Sequence, residues 1–235
     1  MKIKAWFNYQ LLSFFYSLRW MPPAVVYLVW IYLQYNYKSV PILDSYSVSA
    51  ASLYIVMVWM SMQLFSLDQK EEKFIIFSYL RVKTHYLYGK MAVLLFVGTV
   101  LMSLSFLLPV LLDIFAEPIT IIQVGLFLYS HWMFCLLGIG TGGLFSVTNL
   151  SGKKYTWLLA ALFTVASLVA PSIGEVLPGI LKWTIYILPP VSAITGLMAE
   201  GDRMYKAETI WVCMYTGILF TILTRLFVKN ERLIR

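Results

Sequence analysis

The sequence predicts an all-α integral membrane protein: six transmembrane helices, an N-terminal interfacial helix, a short amphipathic helix on the cytoplasmic face and two short re-entrant helices on the outer face. Three observations carry this. The chain is 60% hydrophobic and 12% charged, with a mean hydropathy of +0.79, where an average soluble domain carries roughly 25% charged residues. Its apolar residues gather into runs near the ~20 residues that cross a bilayer at 1.5 Å per residue. Its basic residues fall on one side of the resulting arrangement. Lipid is then the solvent. The net charge of +7 and the pI near 9.3 are read by side of membrane, and no nucleic-acid partner is expected.

Residues 3–19 come first. Ile3, Trp6, Phe7, Leu11, Phe14, Phe15 and Leu18 recur at spacings of three and four, interrupted at Gln10, while Lys2, Lys4, Asn8, Ser13 and Ser17 take the other face. This pattern predicts a helix lying in the headgroup plane. No small-residue cleavage pattern follows it, so no cleavable signal peptide is expected. Pro22 and Pro23 reset the chain, in the first helical turn where a missing N–H has no partner to lose. The first span, 23–37, is short, with Trp20 and Tyr35/Tyr37 at its ends as aromatic belts.

The remaining spans are 46–67, 91–113, 119–147, 155–170 and 209–228, the fourth long enough to tilt or carry a break. Residues 172–200 are apolar but interrupted by Pro178, Gly179, Pro189, Pro190 and Gly196. Prolines there end helices, predicting two short helices that enter the outer leaflet and return, packed against protein or a wet cavity. Six spans put both termini on one side. That side holds all 18 lysines and arginines except Lys38, Lys182, Arg203 and Lys206, whereas Asp44, Asp113, Glu117, Glu175, Glu200, Asp202 and Glu208 face outward. The basic side is cytoplasmic.

The densest cluster of charge lies between the second and third spans, in the segment 68–90. It opens acidic with Asp68, Glu71 and Glu72, becomes apolar through Phe74, Ile75, Ile76, Phe77, Tyr79 and Leu80, and ends basic with Arg81, Lys83 and Lys90. Acid first and base last suits a helix macrodipole. The apolar middle is too short to span, which predicts an amphipathic helix on the membrane face.

Several chemistries are missing. There is no G-x-x-x-x-G-K-[ST] loop, so ATP is not bound by that route. There is no H-E-x-x-H, and the histidines are His85 and His131 alone. Glu71-Glu72 suggests an EExxxR intramembrane protease, but Ile76 fills the arginine position. No G-x-S-x-G elbow occurs. Cys135 and Cys213 each sit in an apolar run, as small hydrophobes. No catalytic residue and no metal site is expected. His131, inside the fourth span, is either functional or a neutral imidazole bonded to a neighbouring helix. With Gln63 it forms the candidate lining of a substrate path; Gln63 and Gln123 lie nearer span ends, in reach of water. Gly138-x-x-x-Gly142, extended by Gly140 and Gly143, permits close helix approach, as a dimer contact or as internal packing.

The order of elements resembles the membrane subunits of type-2 ABC exporters, bacterial relatives of the G-subfamily transporters, over essentially the whole chain. Its most specific parts are Glu71/Glu72 before the apolar helix, Tyr86-Leu87-Tyr88-Gly89-Lys90 at the start of the third span, and Leu188-Pro189-Pro190 before the last. Leu80 stands where the family often has proline. The resemblance implies a permease subunit in a bacterial cytoplasmic membrane, both termini cytoplasmic, with no cofactor of its own. ATP and Mg would be bound by a separate ABC ATPase, present in two copies. A second permease subunit, identical or related, would complete the pathway. The 68–90 segment would be the coupling helix, with Phe74, Phe77 and Leu80 on one face for a groove in the ATPase. Glu71 and Glu72 would pair with basic residues at the rim, and Arg81, Gly89 and Lys90 would complete the coupling set. On the plainer reading the segment lies on lipid, with Arg81 and Lys83 against anionic headgroups. The implied cargo is an antimicrobial or amphipathic peptide, for export or self-immunity. A lipophilic drug, a cell-wall glycopolymer, or a sensor or anchor without transport are the alternatives.

Overall fold

The computed structural model describes residues 3–80, 82–148, 152–200 and 206–232. Arg81, assigned above to the coupling set, lies outside them, as do Lys2, Arg203 and Arg235 of the charge asymmetry. Among the described residues the chain is all-helical: α1 Ile3–Tyr16, α2 Met21–Gln34, α3 Ile42–Phe65, α4 Lys70–Tyr79, α5 Lys83–Leu111, α6 Ile121–Thr148, α7 Gly152–Leu168, α8 Ala170–Val176, a 3-10 helix Gly179–Ile187, α9 Val191–Glu200 and α10 Lys206–Arg232.

Among the described residues four helices are long and apolar enough to cross a membrane: Ile42–Phe65, Lys83–Leu111, Ile121–Thr148 and Ala207–Asn230. The chain is thus a multi-pass membrane protein. The two other predicted spans are shorter. α2 has 14 residues, about 21 Å of rise against a hydrocarbon core of ~30 Å. α7 has 17, and the chain then bends by 75° into α8. α6 is one unbroken helix of 28 residues, without the break that 119–147 allowed. It opens on a reciprocal cap that occupies Gln123: the Thr120 N–H donates to Gln123 Oε1 at 2.8 Å, and the Gln123 N–H to Thr120 Oγ1 at 3.4 Å.

The segment predicted as two re-entrant helices forms three pieces. Pro171 starts α8, Pro178 precedes the 3-10 helix, and Pro189-Pro190 separate that helix from α9 at a 90° bend. Gly179 takes φ +48° at the middle turn, where a side chain would be strained. Two hydrogen bonds fix how far this segment reaches along the bundle. Ser167 Oγ donates to Tyr54 Oη at 3.0 Å, placing the α7 bend beside the middle of α3. Tyr215 Oη donates to Ile187 O at 2.7 Å, placing the end of the 3-10 helix against the body of α10 rather than its tip.

α3 and α6 form the centre of the bundle, and their contact rests on two glycines. A Cβ at Gly138 would lie 2.7 Å from Met57 Cβ and 2.9 Å from Tyr54 O. One at Gly142 would overlap Val58 O and lie 2.7 Å from Ser61 Cβ. Ser61 Oγ donates across the seam to Ile139 O at 3.0 Å. The opposite face of α6 receives α10, with Leu219 over Gly140 and Leu223 over Gly143. Of the two roles open to the Gly138/Gly142 pair, this geometry is internal packing.

Both ends of the described chain lie at the α4 end of the bundle. α1 packs on the start of α5 through Trp6 and Gly89. The last turns of α10 reach Tyr86 through Phe227 and donate from Asn230 Nδ2 to Val147 O at 2.6 Å. At the opposite end, Val40 and Phe115 form a parallel bridge between the α2–α3 and α5–α6 connections.

Candidate docking platform around α4

α4 begins at Lys70 after Gln69, whose side chain provides no cap, and carries Glu71 and Glu72 in its first turn, where the helix dipole favours them. It stops where Leu80 turns extended. Ile76 and Leu80 are buried against the bundle. Phe77 is half-buried, edge-on to Tyr86 with centroids 5.2 Å apart, and Lys83 Nζ lies 5.3 Å from its ring centre. Phe74, Ile75 and Tyr79 are 53%, 61% and 68% exposed, and Glu71 is exposed beside them.

The predicted docking face therefore divides. At 3.6 residues per turn, Phe74 and Phe77 lie about 60° apart, and the line between packing on the bundle and exposure runs between them. Phe77 and Leu80 anchor the helix; Phe74, Ile75 and Tyr79 are what it displays.

Beneath α4 lies an ion pair that the sequence did not disclose. Lys90, assigned above to a coupling surface, is wholly buried. Its Nζ is 2.8 Å from Asp68 Oδ2 and donates to Leu64 O at 2.7 Å. It also lies 4.9 Å from the Tyr86 ring centre and 5.7 Å from that of Phe65. Tyr86 Oη donates to the same Asp68 oxygen. The end of α3, the turn before α4 and the second turn of α5 are thereby joined at one point. A buried pair of this kind is costly to break, because the remaining charge loses its counter-charge away from water.

The Tyr86 ring extends the joint. It meets Trp6 of α1 at 5.5 Å, Phe77 of α4 at 5.2 Å and Phe227 of α10 at 5.8 Å, the last stacked within 8° of parallel. Gly89, also assigned to the coupling set, is buried under α1: a Cβ there would overlap the Trp6 indole. Its smallness serves helix packing. Glu72 is engaged within the chain, since Tyr9 Oη donates to Glu72 Oε1 at 2.6 Å. That hydrogen bond, with partial burial, pushes the Tyr9 hydroxyl up to about 12. Glu71 is the carboxylate left facing outward.

The candidate path residues lie elsewhere. His131 is wholly buried, stacked on Phe127 with centroids 3.8 Å apart. Its Nδ1 is 2.9 Å from Phe127 O, which can only accept, so Nδ1 carries the proton. Its Nε2 faces Ser49 Oγ at 3.0 Å. Both ring nitrogens have partners, on α6 and on α3, so the ring is bonded to a neighbouring helix as the second of the two readings has it. Gln63 is half-buried in the last turn of α3, away from His131. Among the described residues no three His, Cys, Asp or Glu come together as metal ligands do.

No family model, no curated protein and no solved structure matches the chain. What remains distinctive is geometric: a short helix at one end of a membrane bundle, fixed from below by a buried ion pair and displaying apolar side chains outward.

Asp68 and Tyr86 stand out in the sequence as an opening acid and as part of the entry to the third span, but the joint they form with Lys90 is not legible there. The available signal was a lysine placed directly before the apolar run Met91–Val97. Such a charge either snorkels to water or takes a buried partner, and Asp68 is the nearest acid on the other side of the α4 segment that does not belong to α4 itself.

Proposed function

We propose that this chain is the membrane-spanning permease subunit of an ATP-driven exporter, with α4 as the docking helix for a separately made ATPase. The observation that supports it most is the exposed set Phe74, Ile75 and Tyr79, beside Glu71, on a helix whose opposite face is fixed to the bundle. A part that receives a push must be rigid and must offer the partner a purchase. The aromatic and aliphatic side chains fit a groove, and Glu71 supplies register through charge. Lipid is the weaker occupant, because an anionic headgroup surface repels acidic residues.

On this reading ATP and Mg belong to the partner, two ATPase copies serve two permease copies, and the membrane is a bacterial cytoplasmic one with the α4 end inside. Amphipathic or antimicrobial peptides are the proposed cargo. Replacing Phe74 and Ile75 together with Asp is expected to reduce ATPase co-purification at least about tenfold, the loss of a central apolar anchor. Unchanged co-purification rejects docking at α4. A membrane sensor or anchor without transport predicts no ATPase partner for either form. Vesicle ATPase assays with a panel of amphipathic peptides test the cargo: stimulation by none of them removes the peptide class.

A further inference from the structure

One face of α1 both seats the helix and opposes the seat. Trp6 lies on Gly89 and against Tyr86, Phe14 is buried two turns later, and Phe7 meets Phe96 edge-on at 6.4 Å. Between Trp6 and Phe14 on the same stripe stands Gln10. It is wholly buried, and among the described residues neither its amide nitrogen nor its amide oxygen has a hydrogen-bond partner; the Trp6 indole N–H has none there either. Removed from water, such groups weigh against the packed arrangement. At its exposed edge, α1 is tied to the docking helix by the Tyr9–Glu72 hydrogen bond of 2.6 Å.

We propose that α1 is a strap with two seats. In the seat seen here it covers the Asp68–Lys90–Tyr86 joint; in the other it lifts from α5, so that Gln10 and the Trp6 N–H reach water and the Tyr9–Glu72 bond opens, while α4 stays held by the joint. The three features have separate tasks. Gly89 lets the indole descend onto the α5 backbone, so the closed seat is well packed. Gln10 keeps it from being deep, since a side chain of similar size without polar atoms would seat better. Tyr9 supplies the link to α4. Two arrangements close in free energy are what a small push can exchange. The strap is a property of this chain alone; only its use in an exporter rests on the docking reading.

Hydrogen exchange of the full chain in nanodiscs tests it. Gln10→Leu is expected to slow exchange of the α1 amides about tenfold, by relieving an unsatisfied buried group, and to leave α3 and α6 unchanged. Tyr9→Phe is expected to speed α1 exchange severalfold. Exchange in Gln10→Leu that is unchanged or faster in α1 overturns the proposal, because the amide is then satisfied where it lies. If leucine speeds α3 and α6 as well, Gln10→Met, with its more adaptable shape, decides on the same criterion. Both variants keep Phe74 and Ile75, so ATPase co-purification measured alongside separates the two claims: a strap that fails while the ATPase still co-purifies leaves the docking reading standing.

Discussion

Replacing Lys90 with Met is expected to lower folding stability by about 3–5 kcal/mol, the cost of leaving one member of a buried ion pair without the other. Asp68 would keep the Tyr86 hydroxyl but lose the charge 2.8 Å away, at a position where neither side chain meets solvent. Asp68→Asn alone strands the ammonium in the same way. The double variant Asp68→Asn, Lys90→Met removes both charges and is expected to recover most of the loss, because the aromatic packing of Phe77, Tyr86 and Phe227 stays. Thermal unfolding of the four proteins in one detergent measures this as a double-mutant cycle. If Lys90→Met costs less than about 1 kcal/mol, of the size typical for an exposed pair, the joint does not hold α4 to the bundle.

Gly142→Ile is expected to cost on the order of 3 kcal/mol or more, at the upper end of overpacking. The obstruction is not a side-chain tip that can swing away. It is the Val58 carbonyl oxygen and the Ser61 Cβ on the central helix α3. Gly138→Ala should act in the same direction, against Met57 Cβ and Tyr54 O. Gly125 and Gly217 make the control. A Cβ at either meets nothing within 4 Å, so alanine there is expected to be neutral or to stabilise by up to about 1 kcal/mol through helix propensity. Unfolding and size-exclusion profiles of these variants also separate packing from assembly. A Gly142→Ile protein that folds normally but loses a dimer would place this seam between subunits and contradict the α3–α6 assignment.

The elements that could be read from the sequence are those specified by local periodicity and length. The long apolar runs appear as α3, α5, α6 and α10, and Pro22-Pro23 falls in the first turn of α2 as the ring geometry requires. The prolines at 178 and 189–190 announced interruptions. Their number of pieces was harder to read, because the stretch Gly179–Ile187 forms a 3-10 helix with the same apolar composition as an α-helix. The site was legible as a segment and not as a set of contacts. α4 was evident from its charge order, but the choice between Phe74 and Phe77 as outward residue depends on where the bundle lies, a fact outside the segment. Lys90 read as a coupling residue because it closes the acid-to-base order of the 68–90 segment after Arg81 and Lys83. Its burial follows from Asp68, 22 positions earlier, returning over it through the turn before α4. Gly89 likewise looked like part of a motif until Trp6, from the far N-terminal helix, was placed on it. His131 needed Ser49, 82 positions away in sequence, to show that its second nitrogen was satisfied.

The central claim is that α4 presents Phe74, Ile75 and Tyr79 to the cytoplasm. Cysteine labelling tests it most directly: Tyr79→Cys in a background with the exposed Cys213 changed to Ser, probed with a membrane-impermeant maleimide. Labelling in inverted membrane vesicles and none in intact cells is the predicted result. Labelling in intact cells would put α4 on the outer face, where no ATPase can reach it, and would contradict the account.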